Sequence, residues 1–182
     1  IVFDMHGEYS ALTQGSYPIA QSFRIAGPAD LCTTDDSVLF LPYWLLNREE
    51  LLSMILDRSD QNAPNQASRF TFHIRNLKAE TLKNEGKDDV EKSFTVDSPI
   101  PFEINKLIGH LRKDDTTKGE GKGGKPIKGE WEGKLTRFIS RLETKISDKR
   151  YGFMFQPPTA TLSYGWLGKM LINIIGHKDG TT

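Results

Sequence analysis

Apolar positions recur along this chain with changing period, and the periods predict the elements. Ile1-Val2-Phe3 is an unbroken apolar run ending at Asp4. That pattern predicts a buried parallel strand over residues 1–4 whose polar edge carries the carboxylate. A polar loop with Gly7, Gly15 and Pro18 follows. Residues 37–46, SVLFLPYWLL, read as a short strand and a turn divided by Pro42. Asn47-Arg48-Glu49-Glu50 has the capping-box pattern and starts a helix through Leu51, Leu52, Ile55 and Leu56. A second helix runs from Pro64 to about Asn84 with Ala67, Phe70, Ile74 and Leu77 on one face, and Gly86 stops it. Ile104, Leu107, Ile108 and Leu111 define a third, over Glu103–Lys113. Leu135, Phe138, Ile139, Leu142 and Ile146 line a fourth, from about Trp131 to Ser147. Tyr151–Phe155 is an aromatic run of strand length ended by Pro157-Pro158. The last helix, about 161–175, is apolar on most sides and is predicted to be deeply packed, with Gly176 as its stop.

Between the third and fourth helices, residues 113–129 are rich in Gly and Lys and lack apolar periodicity, which predicts a mobile loop. The chain thus divides into 1–46, a mainly helical block at 47–147 with its loop at 114–130, and 148–182. Two strands separated by a helical block, with apolar stretches at both ends, look like the middle of an α/β domain.

Composition changes this picture little. The 182 residues are 37% hydrophobic and 26% charged, with 24 basic and 24 acidic side chains. Any basic surface must therefore be local. The single cysteine, Cys32, excludes an intrachain disulfide and a cysteine-based zinc cluster and fits a reducing cytoplasm. No apolar run approaches the roughly 20 residues of a membrane helix, and Asp4, His6 and Glu8 interrupt any signal-peptide pattern.

Three stretches can carry chemistry. Asp4 stands where open parallel sheets bind ligands, beyond a strand's carboxyl end, and can hold a metal or orient water. His6 and Glu8 can face the same crevice and complete a divalent-metal set. The plainer alternative is that Asp4 caps a turn, His6 packs and Glu8 is solvated. Gly119–Lys125 fits G-x-x-x-x-G-K, but Pro126 stands where a phosphate loop needs Ser or Thr, and no strand precedes it. A flexible linker is the better reading. On the fourth helix Lys134, Arg137, Arg141 and Lys145 form a basic stripe, with Lys149 and Arg150 just beyond. It could meet DNA phosphate, or simply be a solvated face with acidic neighbours. His73, His110 and His177 have no ligand-spaced partners, and no serine has a nucleophile-elbow context.

Asp4-Met5-His6-Gly7-Glu8-Tyr9-Ser10, behind three apolar residues, resembles the strand after the P-loop helix in the HerA family of hexameric DNA-translocating ATPases, relatives of FtsK. LPYWLLNREEL (41–51), SPIPFEI (98–104), RLETKISDKRYGFMF (141–155) and LGKMLINIIG (167–176) agree with its bacterial branch, in order. The resemblance implies an α/β fold: an incomplete RecA-like (P-loop NTPase) parallel sheet with a large helical insertion. It also implies a homohexamer moving DNA with ATP and Mg, in DNA end processing or anti-phage defence, with a NurA-like nuclease or a defence effector as partner. Asp4 is then the carboxylate beside the γ-phosphate and Mg, with His6 and Glu8 in support. The family's P-loop and Walker B strand are not among these residues, so this chain reads as a central piece of the ATPase domain, inactive by itself and holding no cofactor tightly. The alternatives are a non-catalytic module docking a nuclease or effector, and a small metal-dependent hydrolase using Asp4, His6 and Glu8.

Overall fold

A computed structural model describes residues 2–33 and 35–175. Its largest part is helical. In chain order the elements are β1 (Arg24–Ile25), β2 (Val38–Leu39), α1 (Arg48–Ile55), α2 (Ala63–Asn84), α3 (Asp88–Glu91), α4 (Ile104–Thr116), β3 (Gly119–Glu120), β4 (Pro126–Ile127), α5 (Thr136–Ser147), α6 (Gly152–Phe155) and α7 (Trp166–Ile175).

The local signals act where the sequence places them. Asn47 Oδ1 accepts from the Glu50 N–H at 2.9 Å, and Glu50 Oε2 accepts from the Asn47 N–H at 2.8 Å. This closed capping box starts α1. Pro64 sits in the first turn of α2, where its missing N–H removes no helical bond. At the other end Gly86 takes φ +63°. The Lys87 N–H then reaches back to the Leu82 carbonyl and the Gly86 N–H to that of Lys83, a Schellman stop.

One apolar face from each of α1, α2, α4 and α5 meets in a common core. Phe70, Ile74, Leu77, Leu107, Leu111, Phe138 and Leu142 are buried there with Tyr43 and Trp44. Phe70 and Phe138 meet edge to face at 5.4 Å, and Tyr43 meets Phe102 likewise at 5.1 Å. A second, smaller cluster of Ala26, Val38 and Phe40 lies at β1 and β2.

Four expectations are corrected. Residues 2–4 form no strand: Phe3 is 91% exposed, so its neighbours supply neither a ladder nor a cover. The expected parallel sheet is reduced, among the described residues, to the two-residue parallel pair β1–β2. Residues 151–155 are helical rather than extended. Asp148 accepts from the Arg150 N–H at 3.0 Å and opens a turn there. Gly152 and Phe155, three apart, then face inward, with Phe155 stacked on Tyr43 at 5.9 Å. Finally, α7 has no buried residue. Trp166 meets Trp44 at 5.8 Å, but Leu171, Ile172 and Ile175 face outward. Gly176 lies outside the described residues.

The stretch expected to be a mobile loop is partly built. Helix α4 runs on to Thr116, and β3 pairs antiparallel with β4, Gly119 facing Ile127 and Glu120 facing Pro126. Among the described residues no helix is long and apolar enough to cross a membrane.

Candidate functional site

Asp4 is turned onto its own backbone. Its Oδ1 accepts from the N–H groups of His6 (3.3 Å), Gly7 (2.8 Å) and Glu8 (3.1 Å), and its Oδ2 from Tyr9 (3.1 Å). Gly7 makes the tight turn possible by adopting φ +74°. Desolvation raises the carboxyl's pKa, but the four N–H groups together outweigh it and hold it below the ordinary value. His6 and Glu8 are exposed, and their side chains are not hydrogen-bonded to Asp4. Among the described residues no group of three or more His, Cys, Asp or Glu side chains is gathered as for a metal ion. Two surface hollows, one along α2 and α4 and one between β2 and α7, do not reach Asp4 either. With one carboxylate already accepting four N–H groups, these residues do not by themselves fit Mg or a nucleotide.

The basic stripe on and around α5 is partly engaged within the fold. Arg141 pairs with Asp57 at 2.6 Å, and beyond the helix Arg150 pairs with Asp148 at 2.7 Å. Lys145 lies 4.6 Å over the Tyr151 ring and Lys134 lies 5.5 Å over Trp131. The Asp60 carboxyl is held low first by the Asn62 N–H and the Gln66 amide, and more weakly by the Arg137 and Arg141 charges. Of the six cations singled out in sequence, Arg137 and Lys149 have neither an ion pair nor a ring beneath them among the described residues.

The G-x-x-x-x-G-K match forms the β3–β4 hairpin, with Gly123 and Gly124 at φ +78° and +74° in its turn. A phosphate loop needs a strand before it and a helix after it, and this segment has neither.

The structure joins residues that looked solitary in sequence. Asp114 of α4 accepts from Arg69 Nε at 2.7 Å and lies 2.7 Å from His73 Nε2, both on α2. His110 stands beside His73, ring centroids 5.2 Å apart. The Arg69 guanidinium lies 4.4 Å over Phe72 and 5.0 Å over Trp131. Burial pushes the His73 imidazole below its ordinary pKa, and Asp114 offsets only part of that. The i,i+4 spacing of Arg69 and His73 is the one signal the sequence held. Asp114 lies 41 residues from His73, beyond any helical spacing.

Lys78 is buried on α2, and its Nζ donates to the carbonyls of Val96 and Ser98 at 2.6 Å each. Desolvation lowers its pKa to about 8, with a small opposing contribution from Asp97. It ties the segment leading to α4 onto α2.

No curated protein matches the chain. The family model described as the central domain of helicase HerA matches residues 1–175. That span covers the helical block and both flanks, so the chain belongs to the HerA helicase central-domain family, which relates it to ATPase and helicase motor domains.

Proposed function

We propose that this chain is part of the motor domain of an ATP-dependent DNA translocase or helicase, working as a homohexamer in DNA end processing or anti-phage defence beside a nuclease or effector. The observation that carries the reading is the family match over residues 1–175. The distribution of apolar surface supports it. The helical block builds a core that Tyr43, Trp44 and Phe155 complete, while Val2, Phe3 and Met5 at one end and Leu171, Ile172 and Ile175 at the other stand exposed. Flanks of a helical insertion should look like this where the remaining sheet is not beside them.

On this reading Asp4 is the carboxylate at the nucleotide edge, ionised at neutral pH as an ordinary carboxyl is. ATP and Mg need further groups, because the residues described here do not assemble a site for them. The test is DNA-stimulated ATP hydrolysis by the full-length protein. Asp4→Ala should remove most of the stimulated rate while the assembly keeps its size. Wild-type turnover in that variant would overturn the role of Asp4. Absence of any hydrolysis by the wild type, together with capture of a nuclease partner by this chain alone, would favour a docking module instead.

A further inference from the structure

The α5 stripe and the β3–β4 hairpin are the two basic segments of the described chain, and they differ in what surrounds their charges. On and around α5, four of six cations are engaged by a carboxylate or an aromatic ring, Arg137 and Lys149 being the exceptions. On the hairpin, Lys118, Lys122, Lys125 and Lys128 are all exposed. None of these four joins an ion pair among the described residues. Glu120 is the sole acidic residue between Lys118 and Lys128, so the segment carries a net charge of +3 in a chain that is neutral overall. Like charges held this close repel one another and are relieved by an anion that spans them.

The hairpin is held at its base. Gly129 approaches Thr117 so closely that a Cβ would collide with the Thr117 carbonyl oxygen. Glu132 accepts from the Gly129 N–H at 2.9 Å, and the Gly133 N–H donates to the Asp115 carbonyl at 3.0 Å. Its tip, Gly121 to Gly124, carries one side chain in four residues and leaves room for a close backbone approach. A based, narrow, positively charged fork with a glycine tip suits the sugar-phosphate backbone, whose charges are regularly spaced and need no base-specific contact.

We propose that the hairpin from Lys118 to Lys128, and not the α5 face, is the element of this chain that grips nucleic-acid phosphate. The proposal rests on the motor reading above. Its test uses the full-length protein and a duplex DNA, with binding measured across a range of salt concentrations. Each phosphate neutralised contributes about 0.9 to the slope of log affinity against log salt. The variant with Lys118, Lys122, Lys125 and Lys128 all changed to Gln should lower that slope by about 3 to 4. Each single Lys→Gln change should lower it by about 0.9, which guards against a folding defect in the quadruple variant. The α5 variant Lys134→Gln, Arg137→Gln, Lys145→Gln should lower it by less than one single hairpin change. A wild-type slope in the quadruple hairpin variant overturns the proposal. So does an unchanged slope with a smaller assembly, which would assign the lysines to a second copy of the chain. Failure of the wild type to bind DNA at all would overturn the motor reading itself, a result distinct from either.

Discussion

The helical block and its flanks share one chain and use apolar residues differently. In the block, Leu107, Leu111, Leu135 and Phe138 lose all contact with water. In the flanks, Phe3 and Tyr17 are 91% and 92% exposed. Helices α1, α2, α4 and α5 each hide an apolar stripe in a common core, to which Tyr43, Trp44 and Phe155 add from outside the block. A strand cannot do this alone, because its backbone donors and acceptors need a neighbour and its two faces need covers. The block is therefore largely covered, whereas the far ends of the flanks leave apolar side chains in water.

The largest effect that would break this comparison is a core truncation. Phe138→Ala should cost this chain about 3 to 5 kcal/mol in urea unfolding, because the cavity between α2 and α5 cannot collapse fully. Phe3→Ala should shift the midpoint by less than about 0.5 kcal/mol. Equal costs would mean that the flank is packed in solution.

Next in size is the pH dependence of Lys78. Its pKa falls from 10.5 to about 8 on folding. The unfolded chain thus binds more protons between those values, and stability rises with pH across that window. At about 1.4 kcal/mol per unit, the gain reaches at most about 3 kcal/mol between pH 8 and 10.5. Lys78→Met should remove this rise relative to wild type, read as the difference in unfolding midpoint across the same window. A rise of unchanged size in Lys78→Met would show that the lysine is already neutral or still hydrated when folded.

Smaller effects should come from two helix starts fixed at long range. The Tyr43 hydroxyl donates to the Phe102 carbonyl and accepts from the Ile104 N–H at 3.1 Å. Asp115 accepts from the Leu135 N–H at 2.7 Å and the Thr136 hydroxyl at 2.6 Å. Tyr43→Phe and Asp115→Ala should each cost about 1 to 2 kcal/mol, seen as a lowered thermal midpoint, since each leaves buried or helix-end groups unpaired. The smallest effect belongs to Arg150→Ala. That exposed pair with Asp148 closes at 2.7 Å but lies in water, and its loss should leave the urea midpoint unchanged within error.

These cases divide what could be read from the sequence from what could not. The four long helices, the Asn47 start and the Gly86 stop follow from the order of residues, because period, capping box and left-handed stop act within about four residues of one another. The turn chemistry at Asp4 was legible as an alternative for the same reason: its four donors lie within five residues. The start of α4 rests on Tyr43, 61 residues from Ile104, and that of α5 on Asp115, 20 residues from Leu135. The Arg69–His73–Asp114 cluster forms only when α2 packs on α4. Residues 151–155 alternate as a strand would, yet burial against Tyr43 selects a helical turn. The same holds for the basic residues, whose sequence spacing is alike on α5 and on the hairpin. Packing set carboxylates and rings against the first and left the second in water, because only the tertiary structure decides which charges find a partner.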